Sequence, residues 1–333
     1  MEWPRTPVER IPRSRFKPPF CPWRPCPSHS RSTFRPVRYG SYRRRCDRRT
    51  IPRFRCNTCG RTFSQQTFAC TYYLKKPKLL VRVAAGLVAC DASRQTARSL
   101  GCSHTTVVQQ ANRIGRHGLL LHALAIEQLG AVRESIVFDH VETFQYTQEM
   151  PVGVGTAVGS RSLFTYGLDP VPHRAGGPAT EGRLKRLRSL EKRFGVLPAA
   201  SYCDSTQRIL DRLMPKVPSG SRLHLVTDGK PEYLAAARGP IASGLIRMDV
   251  YPNPPRRRRH EPPGSNARVR DRAMYPVDLL HKLIRHSSAN HKRETIAHGR
   301  RVNAMMLRLY GFATWRNFIK DKSERRPRHK TPA

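Results

Sequence analysis

Two closely spaced cysteine pairs constrain the N-terminal part of this chain more than any other feature of its sequence. The pairs have C-x4-C and C-x2-C spacing and consist of Cys21 and Cys26, then Cys56 and Cys59. Four thiolates in two such pairs suit a tetrahedral structural zinc site, and the metal would supply folding energy that a small core cannot. We therefore predict a zinc ribbon over residues 21–72. Cys46 or His29 is an alternative to a member of the first pair.

The charge of the chain predicts its partner. Among 333 residues there are 62 Lys and Arg against 23 Asp and Glu, a net charge of +39. Such a surface attracts polyanions, which favours nucleic acid. Residues 1–20 and 321–333 are predicted to form a disordered basic arm and a basic tail, and the run 256–259 to form a basic loop.

The sequence gives no sign of export or membrane insertion. Its apolar stretches are too short or are interrupted by Arg, and the start MEWPRTPVERIPRSRF lacks the apolar core of a signal peptide. We therefore expect a cytoplasmic, nucleoid-associated protein whose cysteines stay reduced.

Residues 74–126 have the pattern of a helix-turn-helix. Apolar residues recur at helical spacing from Leu79, Ser93 can cap a short second helix, and Gly101 can end it. Ser103 can then cap a third helix. Its predicted outward face suits contacts with DNA and consists of His104, Thr105, Thr106, Gln109, Gln110 and Arg113. The alternative is an ordinary helical hairpin.

The C-terminal half, residues 133–320, alternates between strand and helix patterns. SIVFD runs into Asp139, and SRLHLVTDG runs into Asp228. If these strands pair, the two carboxylates come close together, an arrangement that divalent cations would stabilise. A third carboxylate from a helix would complete such a site. An acid at a strand end is also a common turn residue, which is the alternative.

Taken in order, these motifs resemble bacterial insertion-sequence transposases of the DDE type with an N-terminal zinc ribbon. The stretches that carry the resemblance are CPWRPCPSH, RFRCNTCGRTFS, FDHVETF, VTDGKPEY and NHKRETIAHGRR. The resemblance implies an α+β multidomain protein with a zinc ribbon, a helix-turn-helix and a ribonuclease H-like α/β catalytic domain. It implies DNA as partner, at the element ends and at the target, and a homo-oligomer on DNA.

The resemblance also implies a set of site residues. Asp139, Asp228 and Glu294 match the three catalytic acids that hold Mg or Mn. Asp278 and Asp249 are rivals of Glu294, and the role of Glu142 stays open. Around Glu294, the cations expected to hold the DNA backbone are Lys292, Arg293, Arg300 and Arg301.

The function implied is metal-dependent cleavage and transfer of DNA strands. Two rivals stay open: a DNA-binding protein without catalysis, such as a regulator or a decayed transposase, and a metal-dependent nuclease that does not join strands.

Overall fold

The chain divides after Leu80 into two units, Met1–Leu80 and Val81–Ala333. The computed structural model describes residues 16–31, 33–177, 180–255, 260, 262, 264–322 and 331–333. The basic loop 256–259 and most of the predicted arm and tail lie outside the described residues. None of the helices in the described ranges combines the length and apolarity needed to cross a membrane.

The first unit is built on a three-stranded antiparallel sheet. Its strands, in the order β1-β2-β3, are β1 Val37–Arg43, β2 Thr50–Arg55 and β3 Thr62–Ser64. Aromatic rings on these strands pack together, with Phe54 and Phe63 stacked at a centroid distance of 5.9 Å. One cysteine pair precedes β1 and the other lies between β2 and β3.

Three helices come next along the chain, the first of them across the division after Leu80: α1 Leu79–Val88, α2 Ser93–Ser99 and α3 His104–Glu127. The helix caps and the glycine turn expected from the sequence are present in part. The Ser103 hydroxyl accepts a hydrogen bond from the Thr106 N–H at 3.2 Å, and Gly101 adopts the left-handed conformation with φ of 57°. Ser93, however, is the first residue of α2, and Ala92 occupies the cap position without a side-chain bond.

The predicted helix-turn-helix belongs to the same unit as the C-terminal half. Helix α3 continues for 24 residues and packs along α8, Val302–Phe318. The helices approach so closely that a Cβ added at Gly115 would lie 2.2 Å from the Leu307 carbonyl oxygen. The boundary expected between residues 126 and 133 therefore does not separate two units, because α8 returns to cover α3.

A five-stranded sheet forms the centre of the second unit, with the order β6-β5-β4-β7-β8. The strands are β4 Ile136–Phe144, β5 Pro151–Gly159, β6 Thr165–Pro172, β7 Leu223–Thr227 and β8 Ile246–Val250. Pairing is antiparallel between β4, β5 and β6 and parallel between β4, β7 and β8. The two strands predicted before Asp139 and Asp228 correspond to β4 and β7.

Helices cover both faces of this sheet. One face of β4, with Val137 and Val141, packs on α7, Ser265–Ser287, and on α8. The other face, with Ile136 and Phe138, packs on α5, Tyr202–Leu213, and α6, Pro231–Ala242. The remaining helix is α4, Glu181–Phe194. The C-terminal half is therefore mixed α/β, as its pattern predicts.

Candidate metal centre and active site

The four predicted cysteine ligands come together in the first unit. The Cys21 and Cys59 sulfurs lie 3.7 Å apart, and those of Cys26 and Cys56 lie 3.8 Å apart. All four sulfurs are within 4.8 Å of one another. A tetrahedron with Zn–S bonds of about 2.3 Å has S–S edges of about 3.8 Å, so this cluster can hold a structural metal such as zinc.

The two alternative ligands lie outside the cluster. Cys46 is exposed. The Nδ1 atom of His29 is 2.7 Å from the Cys21 carbonyl oxygen, so this ring braces the backbone of the first pair. In the described part of the chain, these four cysteines are the one group of three or more His, Cys, Asp or Glu whose ligand atoms all lie within 4.8 Å of one another.

The register of the central sheet brings Asp139 and Asp228 together. Phe138 pairs with Thr227 in the parallel β4–β7 ladder, and the residue that follows each of them in the chain is an aspartate. Asp228 directly follows β7, as expected. Asp139 does not end its strand, because β5 pairs with β4 as far as Phe144, and only the β7 ladder stops before Asp139.

A third aspartate, Asp278, reaches the same place from α7. A cavity of about 600 Å³ lies over the three acids and also receives Glu142. Cationic side chains surround the acids and line the same cavity: Lys230, Arg270, Lys282, Arg285 and Arg293. The Arg270 guanidinium donates a hydrogen bond to Asp278. The cavity therefore combines clustered carboxylates with a cationic rim.

Glu294 does not line this cavity. It is exposed, and it borders a separate open hollow with Phe144 and Ile296. The helix expected around it is absent, since α7 ends at Ser287 and only Ala289–His291 form a further 3-10 turn. The rival Asp249 lies on β8, where its carboxylate is 2.8 Å from His224. Of the acids considered for the third position, Asp278 is the one that the structure brings to Asp139 and Asp228.

Asp139 accepts hydrogen bonds from two donors but lies close to two other carboxylates. Its Oδ1 accepts hydrogen bonds from the His140 N–H at 2.7 Å and the Tyr233 hydroxyl at 3.1 Å. Burial, followed by the negative charge of Asp228, nevertheless raises the pKa of Asp139 to about 7, and Asp278 adds to the shift. Without a cation, the site therefore favours a protonated Asp139 up to neutral pH.

A buried chain of polar groups lies behind Asp139. The Tyr233 hydroxyl is 2.9 Å from His140 Nδ1, and His140 Nε2 is 3.3 Å from the Ser205 hydroxyl. Burial, with a smaller contribution from the charge of Lys230, lowers the pKa of His140 to about 3, so the ring is neutral. Because the Tyr233 hydroxyl donates its proton to Asp139, the Tyr233 oxygen accepts a hydrogen bond from His140 Nδ1–H. His140 therefore donates to Tyr233, and Tyr233 donates to the Asp139 carboxylate.

His281 approaches Asp139 from the other side. It lies one helical turn after Asp278 on α7, and its Nδ1 is 3.7 Å from Asp139 Oδ2. Burial, then the charges of Arg285 and Arg270, lower the pKa of His281 to about 3. Sequence reasoning missed His281, Tyr233 and His140 as site residues. The D-x-x-H spacing of Asp278 and His281 was the one signal available, since it places both on one face of a helix.

Glu142 lies at the margin of the cavity. Its Oε1 accepts a hydrogen bond from the Tyr202 hydroxyl at 2.9 Å. The Lys230 ammonium lies 3.3 Å from the centre of the Tyr202 ring, so the cation and the acid share one aromatic support. The contact orients Glu142 at the rim of the cavity.

The predicted DNA contacts differ in exposure. His104, Thr105 and Gln109 are exposed on α3, and Thr106 and Arg113 are half-buried. Gln110 is 3% exposed, so its prediction as an outward residue was wrong. It lies three residues after the buried Val107, on the inward side of the helix. The four cations near Glu294 are all exposed: Lys292, Arg293, Arg300 and Arg301.

Neither a scan against models of protein families nor a search of curated proteins finds a match to this chain.

Proposed function

We propose that this chain is a DNA transposase of the DDE type, which cleaves DNA strands and transfers them with the help of Mg²⁺ or Mn²⁺. In this proposal the sheet with order β6-β5-β4-β7-β8 is the core of a ribonuclease H-like catalytic domain. The strand order supports it, because such a domain requires its first two acids on adjacent parallel strands, as Asp139 and Asp228 are.

One observation carries the proposal: three carboxylates from separate parts of the chain line one cavity in a protein of net charge +39. Burial, and after it the charges of Asp228 and Asp278, raise the pKa of Asp139, so three ionised carboxylates here cost stability unless cations lie between them. Hard carboxylate oxygens are the ligands that Mg²⁺ and Mn²⁺ prefer. Asp139, Asp228 and Asp278 therefore fit a divalent-ion site, with Asp278 in the position that the sequence assigned to Glu294.

The residues around the acids suit a phosphodiester substrate. Two bound divalent ions would supply activation of the attacking oxygen and stabilisation of the leaving one. The chain's own part is to hold the acids and to bind the DNA backbone. The cavity cations Arg285 and Arg293 would neutralise phosphate oxygens, while Tyr233 and the His140 N–H orient Asp139.

The other modules would locate the DNA. A zinc-filled cysteine cluster and the exposed start of α3, with His104, Thr105 and Gln109, would bind the ends of the element. Pairing of two ends calls for a homo-oligomer on DNA, and the affinity for DNA would keep the protein at the nucleoid. The exposed Lys292, Arg300 and Arg301 would add phosphate contacts.

The test uses purified protein with Mn²⁺ or Mg²⁺ and a supercoiled plasmid that carries the chromosomal DNA flanking the gene. The wild type should nick the plasmid and join the released 3′ ends to a second plasmid. Asp139→Asn, Asp228→Asn and Asp278→Asn should each reduce cleavage at least 100-fold, about 2.7 kcal/mol in the barrier. Glu294→Gln should retain cleavage within a few-fold and serves as the matched control.

The outcomes separate the rival functions. Specific DNA binding with no metal-dependent cleavage by the wild type would identify a non-catalytic DNA-binding protein. Cleavage without strand joining would identify a nuclease. Loss of cleavage in Glu294→Gln, with full cleavage in Asp278→Asn, would show that the third acid is Glu294.

A further inference from the structure

The side of Asp139 that faces the cavity is defined by its hydrogen bonds. Oδ1 already accepts two bonds, from the His140 N–H and the Tyr233 hydroxyl. Oδ2 faces His281 Nδ1 at 3.7 Å, which is too long for a hydrogen bond. Oδ2 is therefore the oxygen of Asp139 that is available to a ligand in the cavity.

The orientation of the His281 ring follows from Thr156. The Thr156 hydroxyl has one proton, and it donates to the Asp139 carbonyl oxygen at 2.9 Å. The same hydroxyl oxygen lies 2.7 Å from His281 Nε2, so it accepts a hydrogen bond from Nε2–H. In the neutral ring the lone pair is then on Nδ1, and it is directed at the space beside Asp139 Oδ2.

When Asp139 is ionised, its Oδ2 and the His281 Nδ1 are two electron-pair donors that face each other. His281 is 6% exposed and cannot turn to solvent, because Thr156 holds the far side of its ring. Asp278, one turn earlier on the same helix, lines the same cavity. A metal ion that displaces the Asp139 proton would bind a lone pair of His281 and a carboxylate oxygen of Asp139 at once, and a second-side hydrogen bond is the usual support of a ligating histidine.

We propose that His281 Nδ1 is a nitrogen ligand of the divalent-ion site, beside Asp139 Oδ2. The inference rests on the proposed function for the identity of the site. An imidazole ligand makes the site selective, because Mg²⁺ takes oxygen ligands almost exclusively, whereas first-row transition ions accept imidazole. The cation class for this site is therefore a transition ion such as Mn²⁺ rather than Mg²⁺.

The test measures metal binding by the full chain without DNA. His281→Gln keeps a donor for Thr156 but removes the Nδ1 lone pair. His122→Gln is the matched control, because His122 is also buried and bonds the Thr165 carbonyl oxygen through Nε2 at 3.0 Å, away from the cavity. Mn²⁺ binding is followed by electron paramagnetic resonance, and Mg²⁺ binding by its competition with Mn²⁺.

The wild type and His122→Gln should bind Mn²⁺ more tightly than Mg²⁺, and their spin-echo spectra should show modulation from a coordinated ¹⁴N. His281→Gln should lose that modulation and bind Mn²⁺ at least about tenfold more weakly. It should also lose most of the preference for Mn²⁺ over Mg²⁺. Equal thermal unfolding of the two Gln variants would exclude a general loss of folding.

Two results would overturn the proposal, and they differ in what they say of the catalytic site. In the first result, the wild type binds Mn²⁺ without ¹⁴N modulation, and Asp139→Asn and Asp228→Asn lose this Mn²⁺ binding. His281 is then not a ligand, and the proposed function stands. An absence of Mn²⁺ binding, or binding unaffected by Asp139→Asn and Asp228→Asn, would overturn both.

Discussion

The charge of Asp139 should destabilise the metal-free protein, so Asp139→Asn should stabilise it at alkaline pH. In the folded protein the pKa of this carboxyl is raised from 3.8 to about 7, chiefly by burial and by Asp228. The unfolded chain releases the proton near its ordinary value. Between the two values the folded state binds more protons, so the free energy of unfolding falls as pH rises from about 4 to 7.

The size of the effect follows from the pKa difference of about 3 pH units. At about 1.4 kcal/mol per unit, the destabilisation is on the order of 4 kcal/mol once the pH exceeds 7. Most of it, about 3 kcal/mol, develops between pH 5 and pH 8. Asparagine has the same shape, and its amide oxygen can accept from the His140 N–H and the Tyr233 hydroxyl, so the substitution removes the charge while retaining these bonds.

Scanning calorimetry of the full chain, in buffer free of Mg²⁺ and Mn²⁺ and without a chelator, measures the difference. Asp139→Asn should exceed the wild type by only about 1–2 kcal/mol at pH 5 and unfold several degrees higher at pH 8. Added Mn²⁺ should reverse the order at pH 8, because the ion stabilises the ionised wild type and not the amide. An equal loss of stability in Asp139→Asn at both pH values would refute the reasoning.

The remaining predictions concern the metal cluster, the helix packing and the support of Asp139. We expect elemental analysis to detect one zinc per chain in the wild type; Cys56→Ser should abolish it, whereas Cys46→Ser, outside the cluster, should retain it. Gly115→Ala should lower the free energy of unfolding by about 1–3 kcal/mol, because its Cβ would meet the α8 backbone. Gly239→Ala has open space around it and should be neutral or stabilising in the same calorimetric assay. Tyr233→Phe should weaken Mn²⁺ binding by about 10- to 100-fold in a resonance titration, since it removes a donor to Asp139; unchanged affinity would contradict that role.

Local patterns predicted the elements well. The β-strands around Asp139 and Asp228 and the helices between them lie where alternation and helical spacing indicated. These features depend on residues close in sequence, and so does the pairing of cysteines across a short turn. The residues alone left the pairing of β4 with β7 conditional, because pairing joins strands that are far apart in the chain; the structure shows that they pair in parallel and bring the first two acids together.

The identity of the third acid could not be predicted from local sequence patterns. Glu294 and Asp278 both occur in basic surroundings, and choosing between them requires knowing where α7 ends. The helix stops at Ser287, and the Asn290 side chain then bonds the Ala297 carbonyl oxygen, which holds the next residues in a loop. Because the chain leaves the helix after Ser287, Glu294 does not share the helix face that carries Asp278, and this long-range packing decides which acid faces the sheet.

The length of α3 links the predicted DNA-binding residues to the proposed catalytic acids within one unit. Its first turn carries His104 and Thr105, and its second half packs on α8, which also contacts the face of the sheet that carries Val137. Helix α3 runs for 24 residues without a break, so both of these regions belong to one helix. If both proposed sites act on one DNA molecule, their spacing is therefore set by the packing at Gly115 rather than by a flexible linker, and a substitution there should disturb the position of cleavage before it disturbs the affinity for DNA.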